Sequence, residues 1–382
     1  MRKTALSLAI AISFVLMTTN GVWAATEQVL YSFTDGSDGG YPMAGLIFDA
    51  AGNLYGTTSS GGVYDQGTVF ELSQSNGTWT ETVLYSFTGG ADGGYPASGL
   101  LIDKAGNLYG TTQRGCDEMG CVFELRRGKT RWQEFVLYSF SGSSGNPSGL
   151  TMDKADRVFG TTELGGDGAG TIFGMQHTET GWQESTLYSF NENGDGPQNP
   201  QSGVAVGSPE HLYGTTPNGG YGRGTVFELT YTKRGWQEQI IYSFEGGYDG
   251  STPYGGLVLD SAGNLYGTTS SGGDYNQGTV FELSRSQHGW TKTIIYTPSA
   301  PPSNAALTFD QFGNLYGETY DTIFELSPAN GGWNETTVLE FDGTDGQSIN
   351  GGLIFDQAGN MYGTTQNGGG VFNAGVVFEI TP

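Results

Sequence analysis

The side chains of this sequence that could do chemistry are mainly carboxylates and phenols, and they recur at regular spacing. In the first copy of the repeat, Asp49 and Asn53 precede Tyr55, and Glu71 follows in the next strand-like segment. An unlike pair of carboxylates could hydrolyse a glycosidic bond, but an Asp before Gly-Asn also caps a tight turn. Six of the seven copies keep this Asp. Turn capping therefore accounts for it, a ring of catalytic aspartates is the alternative, and no catalytic residue is predicted.

The Tyr and the Glu of each copy are predicted to form a hydrogen-bonded pair. These pairs include Tyr55 with Glu71 and Tyr109 with Glu124. Only the third copy lacks the Glu, where it has Gly174, and the same copy alone has Phe159 in place of the Tyr. Because a buried carboxylate needs a partner, this joint loss favours a Tyr hydroxyl that donates to the Glu within each copy.

Cysteine and histidine offer little chemistry in this chain. Cys116 and Cys121 are the only cysteines and lie five residues apart, which favours a local disulfide in an exported protein. A zinc site and a redox motif are weaker alternatives, because two thiols supply few ligands and the spacing is not Cys-x-x-Cys. The histidines, His177, His211 and His288, fall at unrelated positions of the repeat, so a Ser-His-Asp triad is not expected.

One loop carries oxygen-bearing side chains at alternating positions, as calcium-binding loops do. The candidate ligands are Asn191, Asn193 and Asp195, with Ser202 rather than Glu at the twelfth position. A plain Gly-rich turn explains the same residues. We therefore predict no metal and no cofactor, and calcium at this loop is the alternative.

These side chains must be positioned by a repeated β structure. A Tyr-Gly pair or its Phe variant recurs with a period of about 50 residues, and the aromatic residues of the seven copies are Tyr55, Tyr109, Phe159, Tyr213, Tyr266, Tyr316 and Tyr362. Each copy holds four strand-like segments, named a, b, c and d here, and repeats of this kind build propeller blades. The predicted a–b hairpins lie near residues 45–58, 99–112, 149–162, 203–216, 256–269, 306–319 and 352–365.

The phase of the repeat at its two ends predicts a closed ring. The first segment, Gln28 to Phe33, is a d segment without a preceding a, b or c, and the last, Val377 to Ile380, is a c segment without a following d. Pairing the N-terminal strand into the last blade would remove both exposed edges. The prediction is an all-β, seven-bladed β-propeller with four antiparallel strands per blade, formed by residues 25–382 as a single domain.

Residues 1–24 are predicted to be a secretory signal peptide. Arg2 and Lys3 precede an apolar run from Ala5 to Met17, and Val22-Trp23-Ala24 ends in a small residue suited to cleavage. A membrane anchor that stays attached is the alternative. We expect a secreted, periplasmic or cell-surface protein, monomeric, with no membrane span in the mature chain.

The charge of the chain excludes one class of partner. The formal net charge is −24. Nucleic acids are bound through clustered Lys and Arg that neutralise phosphates, so no nucleic-acid partner is expected. A well-solvated extracellular surface accounts for the charge, and capture of cations or cationic partners is the alternative.

The repeat carries a family resemblance. The phrase GLIFDAAGNLYGTT at residues 45–58, followed by GTVFEL at residues 67–72, resembles the GloVer-type tandem repeat of exported bacterial proteins. Its a–b hairpin is more distantly similar to the NHL-type propeller repeat. The resemblance spans residues 27–382 with seven matches. It implies an extracytoplasmic propeller and brings no established enzymatic activity.

The candidate binding residues lie where loops vary between copies. With strands alternating in direction, the b–c loops and d–a connections share one face, named the loop face, and the a–b and c–d turns share the other, named the turn face. Aromatic residues on the loop face could stack on sugars or hold a protein, and tucking between blades is the alternative. The candidates are Tyr41, Tyr64, Tyr95, Tyr221, Tyr254, Tyr275 and Phe372.

These observations predict an exported binding module whose ligand is a glycan or an envelope protein. A carbohydrate-active hydrolase or lyase is the first alternative, and a structural surface protein is the second. The sequence names neither the ligand nor the mode of anchoring.

Overall fold

The protein, described by a computed structural model, is a ring of seven antiparallel sheets. The structure describes residues 25–142, 145–179, 181–192 and 195–382, so the predicted signal peptide at 1–24 lies outside it. In every sheet the strands follow the order a, b, c, d, and two sheets carry one further short strand. The predicted all-β, seven-bladed propeller is thereby confirmed.

The strands are short and follow one another blade by blade. The first strand, β1 (Thr26–Ser32), belongs to the last blade. Blade 1 consists of β2 (Ile47–Phe48), β3 (Leu54–Thr58), β4 (Thr68–Ser75) and β5 (Thr78–Ser86). Blade 2 consists of β6 (Leu101–Ile102), β7 (Leu108–Thr112), β8 (Cys121–Arg127) and β9 (Trp132–Ser139). Blade 3 consists of β10 (Gly145–Pro147), β11 (Thr151–Met152), β12 (Val158–Leu164), β13 (Gly168–Thr178) and β14 (Gly181–Asn191).

The remaining blades repeat this pattern. Blade 4 consists of β15 (Ala205–Ser208), β16 (His211–Thr216), β17 (Thr225–Thr232) and β18 (Gly235–Ser243). Blade 5 consists of β19 (Val258–Leu259), β20 (Leu265–Thr269), β21 (Thr279–Ser286) and β22 (Gly289–Tyr296). Blade 6 consists of β23 (Thr308–Phe309), β24 (Leu315–Glu318), β25 (Thr322–Ala329) and β26 (Gly332–Glu340). Blade 7 contains β27 (Gln347–Ile349), β28 (Ile354–Phe355), β29 (Met361–Asn367) and β30 (Val376–Thr381).

The last blade is assembled from both ends of the described chain. Strand β1 pairs antiparallel with β30, with Thr26 opposite Thr381 and Ser32 opposite Val376. It therefore occupies the d position of blade 7.

The described residues contain one 3-10 helix, at Gly247–Asp249, and no helix among them is long and apolar enough to cross a membrane.

Aromatic packing between neighbouring blades forms the core. The Phe that follows each Tyr-Ser of a d strand contacts the Phe of the next blade's c strand, as Phe33 does with Phe70 and Phe87 with Phe123, both at 5.1 Å in edge-to-face geometry. All four rings are fully buried. Because each hydrophobic cluster spans two blades, the blades are stabilised mainly by one another.

Close backbone packing and threonine hydrogen bonds join the inner ends of the blades. A Cβ at Gly45 would overlap the carbonyl oxygen of Gly351 in the neighbouring blade, so only glycine fits there. The first Thr of a b strand donates to a carbonyl of the next blade, as Thr57 does to Ser98 at 3.3 Å and Thr364 to Ala44 at 3.0 Å. These contacts join neighbouring blades at their d–a connections.

Candidate binding face

The loop face is assembled by pairing between the two kinds of loop. In five blades a single β-bridge joins the d–a connection to the start of the b–c loop, for example Gly40 to Ser60 and Gly94 to Arg114, and in blades 3 and 7 the short strands β10 and β27 make this contact. The d–a connections and b–c loops therefore share a face, as the alternation of strand direction predicts.

Aromatic side chains stand out from this face on five consecutive blades. The predicted Tyr64, Tyr221, Tyr275 and Phe372 are all exposed, Tyr221 by 72%. Two further exposed rings belong to the same series, Tyr248 in the d–a connection into blade 5 and Tyr320 in the b–c loop of blade 6. Following the ring from blade 4 to blade 1, the aromatic arc is Tyr221, Tyr248, Tyr275, Tyr320, Phe372 and Tyr64.

The loops hold three of these rings in one backbone conformation. Tyr64, Tyr275 and Phe372 each precede a left-handed residue, namely Asp65 at φ 55°, Asn276 at φ 55° and Asn373 at φ 51°. Asp65 and Asn373 also accept hydrogen bonds from the amides of Gly61 and Gly368, at 3.1 and 2.9 Å. Asp and Asn tolerate this conformation better than other non-glycine residues, so these loops carry residues suited to their backbone conformation.

The tyrosines of the d–a connections are placed differently. Tyr41, Tyr95 and Tyr254 are all half-buried rather than exposed. Tyr95 donates to the sulfur of Met43 at 3.6 Å and is covered by the guanidinium of Arg114, 4.4 Å from its ring. The alternative, in which the ring tucks between blades, therefore holds for these three tyrosines. The predicted aromatic residues of the b–c loops are exposed and can contact a ligand.

The remaining two blades carry no exposed ring in their described b–c loops. In blade 2, Cys116 and Cys121 are joined in a disulfide, as the sequence predicts.

Of the calcium candidates, Asn193 lies outside the described residues, and Asn191 and Asp195 are on either side of it. Within the part of the chain that is described, no three His, Cys, Asp or Glu side chains gather as a metal site would require.

The recurring Asp, Asn, Tyr and Glu form a network on the turn face. Asp49 accepts from the amides of Ala51 and Asn53 at 2.8 and 2.9 Å and from the Asn53 side chain at 2.8 Å. Partial burial alone would raise the pKa of Asp49, but these hydrogen bonds outweigh it and lower that pKa. The Tyr55 hydroxyl lies 3.1 Å from both Asp49 and Glu71. The network is structural, since it ties each turn to its own sheet.

Blade 6 departs from the repeat with a buried carboxylate. Glu318 stands where five other blades have a Thr that donates to the next blade, and it is 4% exposed. Its Oε2 atom accepts from Ser303 at 3.1 Å and from the amide of Gly352 at 3.4 Å, whereas Oε1 has no partner among the described residues. Burial raises the pKa of Glu318 to about 7, and the two hydrogen bonds oppose that rise.

The family and the fold can be placed among known proteins on this basis. The sequence profile of the Gloeobacter/Verrucomicrobia repeat matches residues 14–194 and 117–322. The chain belongs to the Gloeobacter/Verrucomicrobia repeat family. No match to this family member was found among curated protein sequences.

Solved propellers resemble this Gloeobacter/Verrucomicrobia repeat protein at low identity. The extracellular domain of a candidate one-component system from B. thetaiotaomicron matches with TM-score 0.55 at 12% identity, over 88% of this chain and 38% of that chain. A candidate 6-phosphogluconolactonase from Bacteroides uniformis matches with TM-score 0.54 at 14% identity, over 81% and 88%. A Lactobacillus plantarum protein matches with TM-score 0.53 at 16% identity, over 82% and 89%. At these identities the likeness concerns the fold alone.

Proposed function

We propose that this protein is an exported glycan-binding module that holds an extended carbohydrate along the aromatic arc. The observation that supports the proposal is the presence of exposed rings on five consecutive blades, three of them followed by a left-handed residue that shapes the loop. Stacking of an aromatic ring on a sugar face removes apolar surface from water without a specific charge. Rings held in place before binding lose little conformational entropy, which favours affinity.

Polar groups between the rings suit sugar hydroxyls. Asp65, Asp274 and Asp321 lie beside the rings of Tyr64, Tyr275 and Tyr320 in sequence. Carboxylate oxygens accept hydrogen bonds from hydroxyl groups, and such bonds to a charged acceptor are stronger than neutral ones. A neutral or cationic glycan fits this face better than an acidic one, because the chain carries a net charge of −24.

The test is binding to a glycan array, followed by calorimetric titration of the best ligand. We expect saturable binding by the purified protein and a loss of about tenfold in affinity for Tyr221→Ala or Tyr275→Ala, the worth of one stacked ring. Phe312→Ala is the matched control, because Phe312 is an equally exposed ring on the turn face. Its affinity should equal that of the unchanged protein.

Three outcomes separate the candidate functions. Binding that Tyr221→Ala and Phe312→Ala weaken equally would contradict the assignment to the loop face. Binding of envelope proteins without any glycan would make the protein an interaction module of another class. Absence of both would leave a structural surface protein.

A carbohydrate-active hydrolase or lyase is the second candidate, and Glu318 is the observation that favours it. A carboxyl kept protonated near neutral pH can serve as a general acid. Release of new reducing ends from a bound glycan, abolished by Glu318→Gln, would support this candidate. Binding without release of product would reject it.

A further inference from the structure

A groove on the turn face between blades 6 and 7 departs from the repeat at two positions. It encloses about 550 Å³ and is lined by the aromatic residues Phe309, Phe312, Tyr316 and Phe355 together with Pro382. The loop face and its aromatic arc are on the opposite side of the ring. A ligand of this groove would therefore be independent of the glycan proposed above.

The equivalent groove between blades 5 and 6 shows how the repeat normally closes this space. It is lined by Tyr266 and Phe309, by Pro328, and by the indole of Trp333. The Tyr266 ring contacts both Phe309, at 5.2 Å between centroids, and Trp333, at 6.0 Å. At the junction of blades 7 and 1, Tyr362 contacts Phe48 and Trp79 in the same way, at 5.2 and 6.4 Å.

The groove between blades 6 and 7 lacks this indole. Trp333 pairs with Pro328 across its sheet, and continuing the β1–β30 register from Thr26 and Thr381 places Ala25 opposite Pro382. Ala25 thus stands at the tryptophan position. Among the described rings, Tyr316 contacts Phe355, at 5.0 Å, and no tryptophan. Among the described residues, nothing takes the place of the indole that forms one wall of the other grooves.

The same groove has an extra ring on its other side. The third residue of the a–b turn is Phe312 in blade 6, where the other turns have a small residue or proline: Ala51, Ala105, Ala155, Pro209, Ala262 and Ala358. Phe312 is 80% exposed. Replacing an exposed ring on a turn with Ala costs the fold little unless another group packs against the ring. The groove between blades 6 and 7 therefore combines two departures from the repeat, Ala25 in place of a Trp and Phe312 in place of an Ala.

The charge around the groove indicates what could enter with an aromatic ring. Asp310 and Asp356, one on each blade, both line it. The described lining contains no Lys or Arg, whereas the corresponding groove of blades 2 and 3 has Lys104 and Arg126. Carboxylates at the edge of an aromatic cleft attract cationic groups that flank a ring.

We propose that this groove binds a tryptophan side chain of a partner polypeptide whose neighbouring residues are basic. The indole takes the place that Trp79 and Trp333 take at their own grooves, edge-on to Tyr316, and Phe312 covers it from the turn. The flanking Lys or Arg residues approach Asp310 and Asp356. Among the seven grooves of the described residues, this is the one that holds no indole.

The test uses a fluorescently labelled peptide, Gly-Lys-Trp-Lys-Gly, titrated with the full protein and followed by fluorescence anisotropy. We expect saturable binding of one peptide per chain that weakens with added salt, because charge pairs contribute. Phe312→Ala should weaken it about tenfold, and because Phe312 is exposed, the variant should fold as the unchanged protein does. Ala25→Trp should abolish binding and raise the unfolding temperature, since it supplies the missing wall. Tyr275→Ala, on the loop face, is the control and should bind as the unchanged protein does.

A gain-of-site experiment tests the same idea at another groove. Trp333→Ala combined with Ala262→Phe reproduces both departures between blades 5 and 6, and we expect a second peptide to bind per chain. A folded double variant that still binds one peptide would overturn the proposal. So would equal binding of the peptide with Ala in place of Trp, equal binding of free N-acetyltryptophanamide, or unchanged affinity in both Phe312→Ala and Ala25→Trp.

Discussion

Glu318 of blade 6 accepts a hydrogen bond from the backbone amide of Gly352 in blade 7, at 3.4 Å. In other blades the direction of this contact is reversed, because a Thr hydroxyl donates to a carbonyl of the neighbouring blade, as Thr111 does to Ser148. One blade junction is therefore held by a buried acid instead of a neutral hydroxyl. Its strength must depend on the protonation of that acid.

Replacing this acid with the residue of the repeat should stabilise the protein at alkaline pH. The pKa of Glu318 is raised from 4.5 to about 7 by burial, so the folded state holds a proton that the unfolded state releases. Stability from this group is complete below pH 4.5 and falls as pH rises through 7. We expect Glu318→Thr to raise the free energy of unfolding at pH 8 by on the order of 3 kcal/mol more than at pH 5.

The measurement is urea unfolding of both proteins at several pH values. Glu27, Glu81 and Glu134 also have a pKa raised to about 7 by burial, but they are present in both proteins and cancel in the difference. A difference between the two proteins that stays constant from pH 5 to pH 8 would show that ionisation of Glu318 does not weaken the junction.

The Tyr–Glu pair should couple energetically in a blade that has it. Tyr55 lies 3.1 Å from Glu71, and its partner residue is directly across the sheet. We expect a double-mutant cycle of Tyr55→Phe and Glu71→Gln to give a coupling of about 1 kcal/mol, the net worth of such a hydrogen bond. Denaturant unfolding measures it.

Blade 3 supplies the control for this cycle. Phe159 is paired with Gly174, so Phe159→Tyr would place a hydroxyl where no Glu can receive it. That variant should gain less stability than the Tyr–Glu pair gives in blade 1, because only Asp153, the equivalent of Asp49, is left to accept from the new hydroxyl. Additive effects of the two single changes in blade 1 would contradict the pairing.

Replacing Lys292 with Glu should be tolerated only at acidic pH. Its ammonium is 2.9 Å from Asp249, its side chain is 4% exposed, and burial lowers its pKa despite that partner. Glu81 holds the equivalent position in blade 1, where burial and the charge of Asp38 raise its pKa to about 7. We expect Lys292→Glu to lower the unfolding temperature markedly at pH 8 and much less at pH 5, because the new carboxyl keeps its proton there.

Thermal unfolding at the two pH values tests this expectation. The matched exchange is Glu81→Lys, which brings an ammonium toward Asp38 and should leave stability at pH 8 unchanged or higher. Equal losses for Lys292→Glu at both pH values would mean that the lost ion pair, and not the added charge, sets the cost.

The period of the Tyr-Gly pair was sufficient to predict the fold. Each copy packs its aromatic residues against the preceding and the following copy in an equivalent way, so the same residue types recur at the same spacing. Joint replacement of Tyr and Glu in the third copy likewise predicted a contact that Tyr55 and Glu71 make. Such predictions succeed where equivalent positions in the seven copies have the same structural surroundings.

The candidate site was predicted in part, because exposure depends on how loops lie on the ring. Tyr95 and Tyr275 are both loop tyrosines in the sequence, yet Arg114 covers the first and solvent surrounds the second. Tyr320, in the b–c loop of the sixth copy, was not among the predicted residues. Glu318 and Phe312 were also visible as departures from the aligned copies, but only packing shows that one is buried and the other lines a groove.

The pairing of β1 with β30 joins strands from opposite ends of the described chain. Thr26 and Thr381 are neighbours in the sheet although nearly the whole chain separates them, and contacts of such long range slow folding. Strand β1 therefore has no partner in its sheet until β30 has been synthesised. Under the proposed export, a polypeptide threaded through a membrane pore would close its ring only after it had left the pore.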